Sequence, residues 1–383
     1  MGLNTLTGLI PAIYTSLDII SQELVGAIPC ASLDASLERA AVGQQVTIPI
    51  SQPAVATDIT PGVTPPDDGD QSFDNTQMTI TKSRRVPFRW TGEQERALAN
   101  GGVSADILRN SQLVQALRTL TNEIEVDTYN TARRLASRAY GTAGTTPFAS
   151  GVGDSAQMKK LLDDNGAPQT DRCVIIDTSA GANLRTNMQL TKVNEAGTAL
   201  TLRSGELINL HGQSFHESFA AGTPVTKGTG AGYTTNTAGY AIGATSITLI
   251  TGTGTVLAGD VIQFAGDSNK YVVEVGTNGP GVIKIGGPGL RKAIPAAATA
   301  MTIGADFVAN VAFARSNLLL ATRAPALPSG GDSAVDRMMV TDPRSGISFE
   351  ISLYAQYRQM QYEVAVAWGT KALKANHAAL LLG

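Results

Sequence analysis

Residues 104–140, SADILRNSQLVQALRTLTNEIEVDTYNTARRLASRAY, carry the longest helical pattern in the chain. Leu113, Leu117, Leu120, Ile124 and Leu135 keep one face apolar, and Ser104 stands where an N-cap belongs. Arg133, Arg134 and Arg138 suit the negative pole of a helix dipole, and Gly141 supplies a stop. The pattern predicts one helix from Ser104 to about Tyr140. At 1.5 Å per residue it spans on the order of 50 Å, enough to act as a spine across a domain. Just upstream, Thr91 can cap a short helix ending at Gly101 and Gly102.

Toward the N-terminus the pattern changes. Val46, Ile48 and Ile50 alternate as a strand, and a Pro/Gly/Asp-rich stretch follows from Pro53 to Asp70. A second alternating run holds Met78 and Ile80 and leads into the basic cluster Lys82, Arg84, Arg85 and Arg89. Together they predict a long two-stranded extension. An isolated hairpin buries too little apolar surface to be stable in water, so its apolar positions require a partner outside the segment. The cluster is the chain's one concentrated positive patch, and the acidic turn Asp67, Asp68 and Asp70 just before it offers complementary charge across a contact between neighbouring subunits. Further back, Ile10, Ile13, Leu17, Ile20 and Leu24 form an amphipathic arm that packs either on the chain's own core or on a neighbour.

Downstream, residues 154–218 read as α/β: a helix with Met158, Leu161 and Leu162 ending at Asn165 and Gly166, a buried strand Cys173 to Ile176, and a helix beginning near Ser179. Residues 222–304 hold 17 of the chain's 40 glycines and few charges. Short alternating strands at 246–250, 261–264, 271–275 and 282–285 predict an inserted small β-barrel or sandwich. Mixed α/β character then returns: an apolar run over 307–320, a Pro/Gly linker over 325–331, and strands around 347–353 and 362–368. The closing run 378–382 is apolar enough to require burial in a core or an interface.

The chain has 383 residues, 43% of them hydrophobic and 16% charged, which supports a sizeable core and excludes wholesale disorder. With 29 Lys and Arg against 32 Asp and Glu, the net charge of −3 argues against a dedicated nucleic-acid binder. No stretch approaches about 20 unbroken apolar residues, so no spanning helix is expected. The absence of Lys or Arg before Arg39, with Asp18 and Glu23 in the apolar run, argues against a signal peptide and for a non-secreted protein.

Catalytic and metal signals are thin. Cys30 and Cys173 lack CxxC or Cys/His spacing, so buried thiols are expected and neither a disulfide nor a zinc site. His211 and His216, five apart in a predicted strand, point to opposite faces without a carboxylate-rich partner set. The acidic turn lacks the spaced calcium loop and its distal Glu. Gly228 to Gly232 lacks the Lys-Ser/Thr ending of a phosphate cradle and reads as a flexible lead into the β domain. A cross-linking role for Lys82 would need a matching Asn and a carboxylate in a shared dry pocket, which the sequence does not supply. No catalytic residue, cofactor or metal is expected.

Several strings resemble the major capsid (coat) proteins of tailed bacteriophages. GAPQTDRCVIID at 166–177 looks like that family's loop into a central strand, and GELINLHGQSFHES at 205–218 like the strand pair after it. NVAFARSNLLLATR at 310–323 is similar to the segment that re-enters the main fold, and YEVAVAWGTKALKANHAALLLG at 362–383 to the C-terminal strand and tail. AGDVIQFAG at 258–266 resembles the insertion domain of the coat protein of short-tailed Salmonella phages. The resemblance implies an α+β chain of the Hong Kong 97-type fold with an inserted small β-barrel domain. Its parts would be an N-terminal arm (1–40), an extended hairpin loop (41–90), a peripheral domain with the spine helix (91–153), an axial domain (154–221), the insertion (222–304) and a return through both domains with a C-terminal tail (305–383).

It further implies hexamers and pentamers of the chain in an icosahedral shell around double-stranded DNA, formed through a scaffolded procapsid that expands, with assembly in the host cytoplasm and residence in the virion. A scaffolding protein and a portal protein are the expected partners, DNA is approached without specific grip, no membrane is involved, and no enzyme activity follows. The arm begins at once, so scaffolding is expected from a separate protein. Subunit contacts are expected at Ile13, Leu17, Ile20, Val46, Ile48, Lys82, Arg84, Arg85 and Arg89. Three other readings are an encapsulin-like nanocompartment shell, a β-rich tail-associated binding protein, and an α/β hydrolase or transferase. The spine helix and the C-terminal return weigh against the tail protein, and the enzyme would need a compact monomer with a polar cleft.

Overall fold

A computed structural model describes residues 24–50, 56–59, 61–64, 74–100, 105–192, 207, 209–342 and 346–383. The expected arm residues Ile13, Leu17 and Ile20 and the acidic turn Asp67, Asp68 and Asp70 lie outside them. In chain order the first half gives α1 (Ala27–Cys30), β1 (Ser32–Ala40), β2 (Gln45–Ile50), β3 (Asp74–Thr79), β4 (Lys82–Thr91), α2 (Gly92–Asn100), α3 (Ala105–Arg134), β5 (Arg138–Gly141), α4 (Gly153–Asp164), β6 (Arg172–Ile176), α5 (Thr178–Thr186), α6 (Met188–Thr191) and β7 (Gln213–Glu217). Then follow β8 (Ser246–Leu249), β9 (Thr255–Val256), β10 (Val261–Phe264), β11 (Lys270–Val275), β12 (Thr277–Asn278), β13 (Gly281–Ile285) and β14 (Met301–Ile303). The chain closes with β15 (Ala309–Ala314), β16 (Leu318–Pro325), β17 (Ala334–Thr341), β18 (Ser348–Gln356), β19 (Gln359–Ala372) and β20 (Ala378–Leu382). The architecture is mixed α+β.

The spine helix is α3, 30 residues long, or about 45 Å. It stops at Arg134, short of the expected Tyr140, because the next residues are claimed by a sheet. Ser137 is buried and donates from both its backbone N–H and its hydroxyl to the carbonyl of Ala378. Arg138 then pairs with Ala379 of β20 on one side and Tyr271 of β11 on the other. The backbone here is hydrogen-bonded to two neighbouring strands in place of a further helical turn. Arg138 is therefore a buried strand residue, not a cation at the helix end. Upstream, Thr91 caps α2 as expected: its Oγ1 accepts from the N–H of Gln94 at 3.3 Å while the Gln94 side chain accepts from the N–H of Thr91 at 3.1 Å.

A ten-stranded sheet runs β14-β10-β11-β5-β20-β15-β6-β7, with β13 and β8 joined beyond β11. Its centre is covered on both faces, which is why β6, β15 and β20 are buried throughout. Cys173, Ile175, Val311, Phe313, Leu380 and Leu382 meet the spine helix at Leu113, Leu117, Leu120 and Ile124. Val174, Ile176, Ala312, Ala379 and Leu381 meet Met158, Leu162, Ala180 and Leu184 of α4 and α5 on the other face. Asp177 caps α5 by accepting from the N–H of Ser179 at 3.0 Å. The closing run 378–382 is thus a core strand. Of the strand pair expected over 205–218, one described strand, β7, is present, with a bridge from Leu210 back to Gln213.

A six-stranded sheet is built around β19. Strand β4 pairs with it from Lys82↔Trp368 to Thr91↔Gln359, while β18 and then β16 occupy its other edge. Strands β1 and β17 form the outer positions. Strand β1, in the stretch assigned to the arm, pairs parallel with β16 and is part of the body. Val364, Val366 and Trp368 join the same core as the spine helix, so α3 ties the two sheets together. Each of the four buried spine side chains contributes roughly 1.5–3 kcal/mol by burial.

The glycine-rich stretch forms the expected strands around its own core of Tyr233, Ile247, Leu249, Phe264, Tyr271, Val273, Ile283 and Leu290. It is not a separate body, because β11 pairs with β5, and Val261 and Val272 belong to the main core.

Candidate assembly surfaces

The basic cluster lies on β4, where alternation splits it between two faces. Lys82 and Arg84 turn toward the spine helix. Lys82 Nζ stands 2.9 and 2.8 Å from the two carboxylate oxygens of Asp127, and the Trp368 indole donates to the same carboxylate at 2.9 Å. Arg84 reaches Glu123 at 3.7 Å. Arg85, on the opposite face, donates to Glu363 of β19 at 2.6 Å. Among the described residues Lys82, Arg84 and Arg85 thus find complementary charge within the chain; the acidic turn lies outside them. Exposed pairs of this kind are worth about 0–1 kcal/mol each, so they set local charge more than stability. Arg89 is exposed on the face of Arg85 and makes no ion pair among the described residues.

Hairpin β2–β3 pairs from Gln45↔Thr79 to Ile50↔Asp74. At its base Met78 and Ile80 are buried against Ala40, Ala321 and Ala367, with Val46, Ile48 and Leu319 packed around them. Lys371 donates to the Thr76 hydroxyl and to the carbonyl of Gln77 at 2.7 Å. The partner that the hairpin requires is, at the base, the chain's own β16–β19 face, and Val46 and Ile48 are half-buried there. Beyond Ile50 the connection carries Ile59 and Val63, exposed at 98% and 105%. Nothing among the described residues covers these apolar side chains.

The N-terminal segment enters beside the spine helix. Buried Glu125 accepts from the N–H groups of Gly26, Ala27 and Ile28 at 2.8, 2.7 and 3.0 Å and from the Ser218 hydroxyl at 2.5 Å. Four donors compensate the buried carboxylate, which therefore fixes the root of the segment. Sequence patterning gave no sign of this, since Glu125 reads as a solvated helix position.

A surface groove of 730 Å³ lies where α2 meets the β18–β19 turn, with Trp90, Glu93, Glu95, Tyr357 and Met360 in its wall. Tyr357 is 85% exposed, with the Arg358 guanidinium 5.6 Å from its ring centre. Gly228–Gly232 is not a loose lead: a Cβ at Gly228 would stand 2.3 Å from the carbonyl oxygen of Thr255, and the Gly228 N–H donates to Asp260 at 3.1 Å. Burial raises the Asp260 pKa above the usual carboxylate range.

His211 sits in a turn at φ +52°, with Nδ1 3.1 Å from the Ser155 hydroxyl. His216, on β7, lies beside Cys30 and Cys173, a grouping that sequence spacing did not disclose. Burial pushes the Cys30 thiol up, while a hydrogen bond from Cys30, then His216 and Ser214, holds Cys173 down at about 4. Among the described residues no helix is long and apolar enough to cross a membrane.

No family model and no curated protein matches this chain. Among solved structures it is similar to a chain of the capsid of cyanophage P-SCSP1u, at 13% identity and TM-score 0.48, over 92% of this chain and 86% of that one. A chain of the mature capsid of bacteriophage PhiM1 is similar at 11% identity and TM-score 0.45, over 93% and 86%. A Mycobacterium phage Che8 chain is similar at 13% identity and TM-score 0.43, over 88% and 84%.

Proposed function

We propose that this chain is a capsid shell protein: the major capsid protein of a tailed bacteriophage, of the Hong Kong 97-type fold, whose copies close into an icosahedral shell around double-stranded DNA. Its role is structural rather than enzymatic. The observation that carries the proposal is the hairpin that leaves the six-stranded sheet and holds Ile59 and Val63 fully exposed. A single subunit gains nothing from such a projection, whereas a neighbour that covers it gains roughly 1.5–3 kcal/mol per buried side chain, repeated at every contact around a shell. Ile13, Leu17, Ile20 and Arg89 belong to the same set of contacts, with a scaffolding protein and a portal as further partners.

Ile59→Asp together with Val63→Asp tests this. The substitutions alter fully exposed side chains, so the chain is expected to keep its melting temperature within about 2 °C. Sedimentation is expected to show loss of particles. Wild-type particle yield from the folded variant would overturn the proposal, and particles filled with a cargo enzyme instead of DNA would assign the nanocompartment alternative.

A further inference from the structure

Three side chains far apart in sequence converge beneath the N-terminal segment. Cys30 ends α1, Cys173 is the second residue of β6, and His216 stands on β7, where it pairs with Ile175. Cys173 and Ile175 point to the spine-helix face. The two sulfurs and a ring nitrogen of His216 all lie within 4.8 Å of one another. Both thiols are free and buried, whereas His216 is half-buried and leaves a way in from solvent. The Ser214 hydroxyl donates to Cys173 Sγ at 3.3 Å, the outer hydrogen bond that commonly orients a ligating thiolate.

We propose that Cys30, Cys173 and His216 bind one zinc(II) ion, with water at the fourth tetrahedral position. Two thiolates and an imidazole are the donors zinc selects, and ligand atoms around a tetrahedral ion stand roughly 4 Å apart, a spacing that atoms all within 4.8 Å of one another can adopt. Charge favours the ion as well. Cys30 is 0% exposed among apolar side chains, where a bare thiolate is costly, but two thiolates with one dication form a neutral centre. A Cys30–Cys173 disulfide would leave His216 unused. The groove at α2 and the β18–β19 turn does not include Cys173. The ion would clip the N-terminal segment to the ten-stranded sheet, beside the anchor that Glu125 already provides.

The full chain, purified without chelator, is tested by elemental analysis and thiol counting. The expected result is about one zinc per chain, with two thiols that titrate only after unfolding and chelation. Cobalt(II) in place of zinc is expected to give thiolate charge-transfer bands that saturate at one equivalent. A chelator is expected to lower the melting temperature of the wild type by about 5 °C and to leave His216→Asn unmoved. A folded chain with two free thiols that takes up neither metal would overturn the site. So would a disulfide in place of the thiols, or full metal content in His216→Asn and Cys173→Ser. All these readouts are independent of whether the chain assembles.

Discussion

Glu125 shows how a single side chain can hold an element in place. Its carboxylate accepts four hydrogen bonds at zero exposure, three of them from the backbone N–H groups of residues 26–28. Glu125→Gln turns one oxygen into a donor facing donors, and is expected to cost about 2–4 kcal/mol, read as a fall in the urea midpoint. Gly228 acts through close approach instead. Gly228→Ala forces a methyl into the Thr255 carbonyl and is expected to destabilise by about 1–3 kcal/mol, whereas Gly222→Ala, which meets nothing, serves as the control. Such roles are hard to read in the sequence, because the groups that give Glu125 its partners lie about a hundred residues away. The Cys30, Cys173 and His216 grouping escaped for the same reason: spacing along the chain carries no information about convergence of three elements.

At the scale of elements, legibility followed local periodicity. The strands of the glycine-rich stretch were legible because Ile247 and Leu249, or Ile283 and Ile285, alternate with polar residues between glycines. Strand β1, SLDASLERA, has almost no β-formers and is held by its neighbours: Arg323 pairs with Asp34 at 2.7 Å and Arg39 with Glu350 at 2.6 Å. Strand β17 escaped because Asp336 and Arg337 and a register shift interrupt its alternation. The helix end was misplaced by six residues because the competing ladder comes from β20, over two hundred residues downstream. The β4 cations were legible as a cluster but not as ion pairs, since Asp127, Glu123 and Glu363 belong to other elements. Arg85→Glu sets like charges side by side and is expected to cost about 1 kcal/mol, recovered largely by adding Glu363→Arg. A double-mutant cycle in thermal melts measures it.

For the whole molecule, one long helix joins two sheets, and the stretch read as an insertion is hydrogen-bonded into the larger of them. Replacing residues 222–304 by a short linker removes the β11–β5 ladder and the core side chains Val261 and Val272, and is expected to lower stability by several kcal/mol. A linker variant with the wild-type melting temperature would make the stretch a separable appendage. Ile59 and Val63, on the connection between β2 and β3, are the most exposed large apolar side chains among the described residues, and their exposure is what the shell proposal explains. The most direct measurement is negative-stain microscopy of the chain, expressed alone and with the genes flanking its own. Closed shells of one size, or irregular shells that become uniform beside a scaffold, are the expected result; a folded monomer under every condition would contradict the account.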